Sequence, residues 1–150
     1  MTQGTNSTAL ALLAERFVEA FNARDEEALG KLYHSDARIK RPTWRSEGDV
    51  EASLASMQLD FGAYPDGRLE VRQVVVQDRV VVVEFQFEGK NTRPLTLFNG
   101  QEVPATGRPL RIDGTIVLEV DEQGLIRGER QYWKVYPLVE FWMAVGVIGS

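Results

Sequence analysis

Four polar residues of this chain have the types and spacing of a small chemical site. Glu129 and Gln131 lie two positions apart in Leu125–Trp133, whose alternating pattern predicts a strand, so both side chains share one face of it. Glu129 is suited to exchange a proton, whereas Gln131 can orient a water or a carbonyl group. Arg41 ends a shorter predicted strand and Asn91 follows another. In an enzyme, we expect Glu129, Gln131 and Arg41 to be the catalytic residues.

Strand alternation also predicts the surface that surrounds these polar groups. If Ile116 in the segment Leu110–Val120 points inward, so do the residues two and four positions away from it. On the last strand, the same alternation places Trp133 inward and Ile126 outward. The expected ligand-binding residues are therefore apolar side chains of the inner surface together with one amide: Phe17, Trp44, Phe85, Asn91, Ile116 and Trp133.

This combination, mostly apolar with a few converging polar groups, is the usual composition of a small-molecule pocket. In a catalytic interpretation, Glu129 carries the proton, Gln131 and Asn91 position the substrate, and Arg41 stabilises developing negative charge. In the other interpretation, Arg41 and Glu129 only pair with each other, which keeps a buried charge compensated. The residues by themselves leave both interpretations open.

Other kinds of chemistry are excluded by residue counts and by missing motifs. The chain has no cysteine, which excludes disulfides, thiolate metal sites and cysteine nucleophiles. Its one histidine, His34, excludes histidine-rich zinc sites, and we expect it to be an exposed turn residue. The phosphate-binding pattern GxxxxGK[ST] and the hydrolase pattern GxSxG are both missing. We therefore expect neither a metal nor a cofactor.

The periodicity of the apolar residues changes from helical to alternating at about residue 69. Before that point, helices are predicted after Thr8, after Asp25 and after a capping box at Ser46, and a short strand is predicted at Ala37–Arg41. Beyond it, alternation predicts four antiparallel strands, and Pro137 suits the start of a terminal helix: Leu69–Gln77, Val80–Glu88, Leu110–Val120 and Leu125–Trp133. This order predicts an α+β fold, with N-terminal helices packed in a strongly curved, mostly antiparallel sheet.

Length and charge bound the class of protein. The 150 residues suit one domain, which we place at 8–150 after a disordered N-terminus at 1–7. The net charge of −5 argues against nucleic-acid binding, because such proteins usually carry a basic surface. No apolar run approaches the ~18 residues of a membrane span, and the polar start lacks a signal-peptide pattern. We expect a cytoplasmic protein.

Two valine runs predict a protein partner. Val74–Val76 and Val80–Val83 are apolar on both strand faces, which suits strands that are covered on both sides. The helices cover the inner face only. We therefore expect a homodimer through the outer sheet face.

A resemblance to a known family is carried by four stretches of sequence: ARDEEALGKLYHSDARI, FGAYPDGRLEV, GKNTRPLTLFNGQEVPATGRPLRI and VDEQGLIRGERQYW. They resemble the SnoaL-like polyketide cyclases, which share a cone-shaped, cystatin-like α+β barrel with nuclear transport factor 2, ketosteroid isomerase and limonene epoxide hydrolase. The resemblance covers about Leu10 to Gly146. It implies the cone fold, a hydrophobic pocket and dimerisation through the sheet.

The catalytic residues of these families are not retained. Where ketosteroid isomerases use a tyrosine and two aspartates, the matching positions are Phe17, Arg41 and Ile116. Where SnoaL-type cyclases use a histidine and an aspartate, this chain has Ile116 and Gln131. The position of the last-strand aspartate of the epoxide hydrolases is also occupied by Gln131. A shared fold does not carry its chemistry with it.

The sequence therefore supports two classes of function. In the first, the protein acts on or binds a small hydrophobic molecule that is polyketide-, terpenoid- or steroid-like, with cofactor-independent acid–base catalysis of cyclase, isomerase or hydrolase type. In the second, it is a non-catalytic ligand-binding or dimerisation module of the same fold.

Overall fold

The secondary structure follows the predicted order of helices and then strands. The computed structural model describes residues 3–96 and 100–134. The helices are α1 (Gln3–Asn22), α2 (Glu26–Gly30) and α3 (Val50–Ala63). The strands are β1 (Tyr33–Lys40), β2 (Arg68–Gln77), β3 (Val80–Lys90), β4 (Leu95–Thr96), β5 (Glu102–Val103), β6 (Pro109–Val120) and β7 (Ile126–Trp133). The terminal helix predicted from Pro137 lies outside the described residues.

Helix boundaries depend on side chains that cap free backbone amides. The Asp25 carboxylate accepts a hydrogen bond from the Ala28 amide at 3.0 Å, which begins α2 as predicted. The prediction for α3 is wrong by three residues, because Asp49 rather than Ser46 is its N-cap. Gly48 exchanges two backbone hydrogen bonds with Ile39 of β1, so the chain before Asp49 is held against the strand. Helix α1 begins at Gln3, earlier than the predicted cap at Thr8.

Five strands form the main sheet in the order β1-β7-β6-β3-β2. The four long strands pair antiparallel, as predicted, and β2 and β3 form a hairpin at residues 78–79. Strand β1 instead pairs parallel with β7 at the sheet edge. The helices pack against this curved sheet, which confirms the predicted α+β cone fold. Strands β4 and β5 form a separate two-stranded ribbon.

A bulge in β7 reverses one predicted orientation. Val120 pairs with Ile126, but its neighbour Glu119 pairs with Gly128, so Arg127 is an additional residue in β7. Ile126 therefore points into the core, where it is fully buried, and its predicted outward orientation is wrong. Glu129, beyond the bulge, has the predicted inward orientation.

The hydrophobic core lies between the inner sheet face and α1. Val81 and Val83 of β3 and Leu118 of β6 are fully buried, and Phe17 of α1 belongs to the same buried cluster. No helix in the described part of the chain is long and apolar enough to cross a membrane.

Candidate functional site

A cavity of about 270 Å³ lies between the helices and the inner sheet face. This volume is just below the ~300–1,000 Å³ typical of drug-sized ligand pockets, so it favours a small ligand. Most of its wall is aromatic or aliphatic. Five of the six predicted ligand-binding residues line it, and so do all three predicted catalytic residues: Phe17, Trp44, Phe85, Ile116, Trp133, Arg41, Glu129 and Gln131.

Glu129 is the buried carboxylate of this cavity. In β7 it lies opposite Leu118 of β6 and Ile39 of β1, and only 2% of it is exposed. The Tyr33 hydroxyl donates to Glu129 Oε1 at 2.5 Å, and Gln131 Nε2 donates to Oε2 at 2.6 Å. One donor on each carboxylate oxygen is the arrangement that stabilises a buried negative charge.

The hydrogen bonds continue along β7 in one direction. The Trp133 indole nitrogen donates to Gln131 Oε1 at 3.2 Å. An indole N–H can only donate, so it sets the orientation of the Gln131 amide, with the amide nitrogen directed at Glu129. We call these four residues, Tyr33, Glu129, Gln131 and Trp133, the β7 hydrogen-bond chain. The Tyr33 hydroxyl, the Trp133 indole and one N–H of the Gln131 amide donate within this chain, and the second N–H of the Gln131 amide has no such partner in it.

Tyr33 is a functional candidate that the sequence analysis did not identify. Burial raises the pKa of its phenol well above the usual value, and the charge and hydrogen bond of Glu129 act in the same direction, against the opposing effect of Arg41. The predicted strand began only at Ala37, four residues later. Tyr33, Ala37, Ile39 and Arg41 share one parity, and this alternation was the signal that could have revealed the tyrosine.

Arg41 lines the same cavity and pairs with α3. Its Nη1 donates to Ser56 Oγ at 3.0 Å and to Asp60 Oδ2 at 3.4 Å, and its guanidinium carbon lies 5.5 Å from the centroid of the Trp44 ring. Packing around the Asp60 carboxyl raises its pKa although half of the side chain reaches solvent, and Arg41 acts in the opposite direction.

The structure does not support a simple Arg41–Glu129 pair. The ion pair that Arg41 forms within the described residues is with Asp60, and the hydrogen-bond donors to Glu129 are Tyr33 and Gln131. The alternative that Glu129 only neutralises Arg41 is therefore wrong. The physical reason is that α3 brings a carboxylate to Arg41, which a strand alternation could not reveal.

Asn91 does not line the cavity, so its predicted orientation toward a ligand is wrong. Strand β3 ends at Lys90, and the alternation that placed Asn91 inward does not extend to it. The side chain is fully buried and its amide is occupied. Its nitrogen donates to the carbonyls of Ala63 and Arg93, and its oxygen accepts from the amide and the hydroxyl of Thr106. Asn91 fastens the long loop to the end of α3.

His34 lies in β1 rather than in a turn, where its Nδ1 accepts a hydrogen bond from the Asp36 amide at 2.9 Å. It is not part of the cavity wall. In residues 3–96 and 100–134, no group of three or more His, Cys, Asp or Glu side chains is placed to hold a metal ion.

A glycine on β6 gives space to the aromatic wall. Gly114 pairs with Trp133, and a Cβ atom at Gly114 would come within 2.5 Å of the Trp133 Cβ and 2.9 Å of the Phe85 ring. Both residues line the cavity, so a larger residue at Gly114 would force part of the wall to shift.

Known structures share this fold at low sequence identity. AclR from Streptomyces galilaeus, a candidate hydroxylase, superposes with a TM-score of 0.74 at 18% identity over 94% of this chain and 83% of its own. A candidate SnoaL-like polyketide cyclase from Jannaschia sp. CCS1 has a TM-score of 0.74 at 17% identity, over 95% and 94% of the two chains. For IdmH from Streptomyces antibioticus, a candidate polyketide cyclase, the TM-score is 0.73 at 24% identity, over 87% and 96%.

These likenesses establish the fold, and their differing names show that the fold hosts more than one proposed reaction. A search of curated proteins finds no match to the chain. The family model of the SnoaL-like domain matches residues 14–129, a range that includes the helices α2 and α3, most of the sheet and Glu129 itself. This chain belongs to the SnoaL-like domain family.

Proposed function

We propose that this protein binds a small hydrophobic molecule in the cavity and carries out acid–base chemistry on it without a cofactor. The observation that carries the proposal is Glu129, a carboxylate that is 2% exposed and held by two donors in a mostly apolar cavity. The ligand class is polyketide-, terpenoid- or steroid-like, and the cavity volume favours its smaller members.

In this proposal, Glu129 is the general base. Each of its oxygens accepts one hydrogen bond and keeps a second lone pair, with which it can remove a proton from a carbon or a hydroxyl of the ligand. Arg41 lines the same cavity, and it stabilises the negative charge that then develops on a ligand oxygen. Gln131 positions the carboxylate, since Trp133 holds its amide in place. Return of the proton to another carbon completes an isomerisation. In a cyclisation, the carbanion first adds to a carbonyl carbon of the same ligand, and the proton then goes to the resulting alkoxide. In a hydrolysis, Glu129 instead takes the proton of a water molecule, whose oxygen attacks the carbon of an epoxide, and the proton goes to the oxygen that leaves as the C–O bond breaks.

The second candidate is a non-catalytic module that only holds a ligand or forms a dimer. It is favoured by Ile116, which stands where SnoaL-type cyclases have a histidine and which lies 3% exposed on the cavity wall. An aliphatic side chain cannot exchange a proton there. In this case the cavity should still bind ligands, but Glu129→Gln should leave the rate of every proton transfer in the cavity unchanged.

Ligand binding can be detected with the tryptophans of the cavity. Trp44 and Trp133 both line it, so terpenoid, steroid and polyketide-like compounds should change the tryptophan emission. The change should shrink in Trp44→Phe and in Trp133→Phe, because each variant removes one reporter. A panel of such compounds that leaves the emission of the wild type unchanged would contradict ligand binding.

We also propose that the protein is a homodimer through the outer sheet face. Val75, Val82 and Val117 form a row across β2, β3 and β6 on this face, and Tyr132 of β7, which pairs with Thr115, is 57% exposed. Exposed apolar side chains that share one sheet face are typical of a protein interface.

Light scattering at micromolar concentration should show a species of twice the 16.9 kDa chain mass. Val75→Glu should shift the protein toward the monomer, since it places a charge within the valine row. Leu12→Glu is the matched control, because Leu12 on α1 is similarly exposed, at 44% against 47%. A wild type that stays at 16.9 kDa would contradict the dimer.

A further inference from the structure

Asp60 is a second carboxyl group on the cavity wall, and the proposed reaction does not use it. It lies near the C-terminal end of α3, lines the cavity together with Arg41 and Glu129, and keeps 52% of its side chain exposed. In the described part of the chain, its carboxyl accepts a hydrogen bond from Arg41 alone, at 3.4 Å. Both a ligand and water can therefore reach this carboxyl.

The two carboxyl groups of the cavity have different surroundings. Glu129 is 2% exposed, and each of its oxygens accepts a short hydrogen bond, from Tyr33 or from Gln131, which stabilises its negative charge. Asp60 has one longer contact, and packing around it raises its pKa against the opposing effect of Arg41. Two carboxyl groups whose surroundings favour opposite protonation states are suited to act as a base and an acid. Glu129 suits the base and Asp60 the acid.

The contact between Asp60 and Arg41 indicates where an acid would act. In the proposed reaction, the Arg41 guanidinium stabilises the negative charge that develops on a ligand oxygen. A ligand oxygen that contacts this guanidinium also comes near Asp60, because Asp60 Oδ2 lies 3.4 Å from Arg41 Nη1. A proton donor at this place neutralises the charge as it develops.

We propose that Asp60, in its protonated form, is the general acid that gives a proton to this ligand oxygen while Glu129 removes a proton from carbon. This inference rests on the proposed function, because it takes Glu129 as the base. In an isomerisation, the resulting enol returns its proton to Asp60 when Glu129 delivers its own to another carbon. In an epoxide opening, the proton of Asp60 goes to the epoxide oxygen as the C–O bond breaks. Solvent then returns the proton that Glu129 took from water to Asp60.

The titratable groups that face Asp60 in the described residues are Arg41 and Tyr64. Burial raises the pKa of the Tyr64 phenol, and the charge of Asp60 acts in the same direction, so this phenol stays neutral in an assay below pH ~9. Of the elements that pack on α3, β4 holds no titratable residue. The acidic residues of α2 have other partners, which are Gln58 for Glu26 and Lys31 for Glu27. A titration at this end of the cavity therefore reports on Asp60.

Two substrates that differ in their leaving group test the inference. In 1,2-benzisoxazole and in 5-nitrobenzisoxazole, a base removes the C–H proton, the N–O bond breaks, and a nitrile forms beside a phenol oxygen. The nitro group stabilises the leaving phenolate, so its oxygen needs little help from an acid, whereas the unsubstituted phenolate gains from one. Asp60→Asn should therefore lower the rate for 1,2-benzisoxazole about 10²-fold more than the rate for 5-nitrobenzisoxazole, the lower end of the contribution of a positioned acid.

The wild type provides a second measurement that needs no variant. Its ratio of the 1,2-benzisoxazole rate to the 5-nitrobenzisoxazole rate should fall as the pH rises through the pKa of Asp60, because only the protonated carboxyl donates. Glu129 takes the proton from both substrates, so its own ionisation cancels in this ratio. In Asp60→Asn, the ratio should not change with pH.

Glu51→Gln is the matched control, because Glu51 is an exposed carboxylate of the same helix that is not part of the cavity wall. Its ratio should equal that of the wild type at every pH. Asp60→Asn keeps an oxygen that can accept from Arg41, so the two variants differ in the proton rather than in the contact with Arg41.

The outcomes separate this inference from the proposed function. If Glu129→Gln lowers both rates but Asp60→Asn keeps the wild-type ratio, Asp60 is not the acid, and the proposed function stands. A wild-type ratio that does not vary with pH leads to the same conclusion. If the wild type opens neither substrate faster than buffer does, the inference and the acid–base chemistry of the proposed function both fail.

Discussion

Glu129→Gln should lower the rate of proton abstraction in the cavity by about 10²–10⁴-fold, the range that a positioned general base contributes. A suitable test reaction is the ring opening of 5-nitrobenzisoxazole, a flat molecule of mostly apolar surface. One base removes the C–H proton while the N–O bond breaks, and the resulting nitrile-bearing phenolate is measured by its absorbance. Since one proton transfer completes this reaction, its rate reports on the base directly.

The structure explains why this substitution should spare the fold. In Glu129→Gln, the new amide oxygen can accept from Gln131, and the new amide nitrogen can donate to the Tyr33 hydroxyl, which can reverse its direction. We therefore expect the free energy of unfolding to change by no more than about 1 kcal/mol. Loss of the rate with an unchanged unfolding midpoint in urea would assign Glu129 to chemistry rather than to stability.

Glu84→Gln is the control for this experiment, because Glu84 is an exposed carboxylate of β3 on the opposite sheet face. Its rate should equal that of the wild type. An unchanged rate in Glu129→Gln, or an equal loss in Glu84→Gln, would contradict the assignment of Glu129 as the base and would favour the non-catalytic module.

Asn91→Ala should destabilise the protein by about 3–5 kcal/mol. The substitution removes four hydrogen bonds and leaves the carbonyls of Ala63 and Arg93 and the amide of Thr106 without this partner. A buried backbone group without a partner, such as the Ala63 carbonyl, costs about 1–3 kcal/mol, and the part-buried groups of Arg93 and Thr106 add to this less. The long loop before β6 would lose its attachment to α3. Urea unfolding followed by circular dichroism measures the loss.

Thr92→Ala is the matched control, because its side chain is exposed and directly follows Asn91, so its effect should stay within about 0.5 kcal/mol. The same variants also distinguish a structural from a ligand-binding role for Asn91. If Asn91→Ala keeps its stability and loses ligand affinity, then Asn91 contacts the ligand as the sequence suggested. We expect the opposite result.

Much of the fold could be predicted because its signals are local. Asp25 begins α2 through a cap that spans three residues, and the apolar alternation of β3 and β6 places Val83 and Ile116 inward without reference to the rest of the chain. The same alternation placed Glu129, Gln131 and Trp133 on the cavity wall. A period of two is a property of the strand backbone, so it can be read wherever the strand is continuous.

The errors occur where that continuity ends. The additional residue Arg127 reverses the parity of Ile126, and the end of β3 at Lys90 releases Asn91 from the pattern. Asp49 rather than Ser46 caps α3, because the backbone of Gly48 is bound to β1. Bulges and strand ends depend on which segments pair, and this pairing is not encoded in the period of a single strand.

The sequence by itself determined the α+β order, the inward faces of the strands and the identity of the cavity carboxylate. Only the tertiary structure decided its partners. Tyr33 reaches Glu129 across 96 positions of the chain, and Arg41 finds Asp60 rather than Glu129 because α3 packs beside β1. Side-chain periodicity is set by the local backbone, whereas hydrogen-bond and ion-pair partners are set by the distance between elements after they pack. That packing left the Nε atom of Arg41 buried and without a hydrogen-bond partner among the described residues.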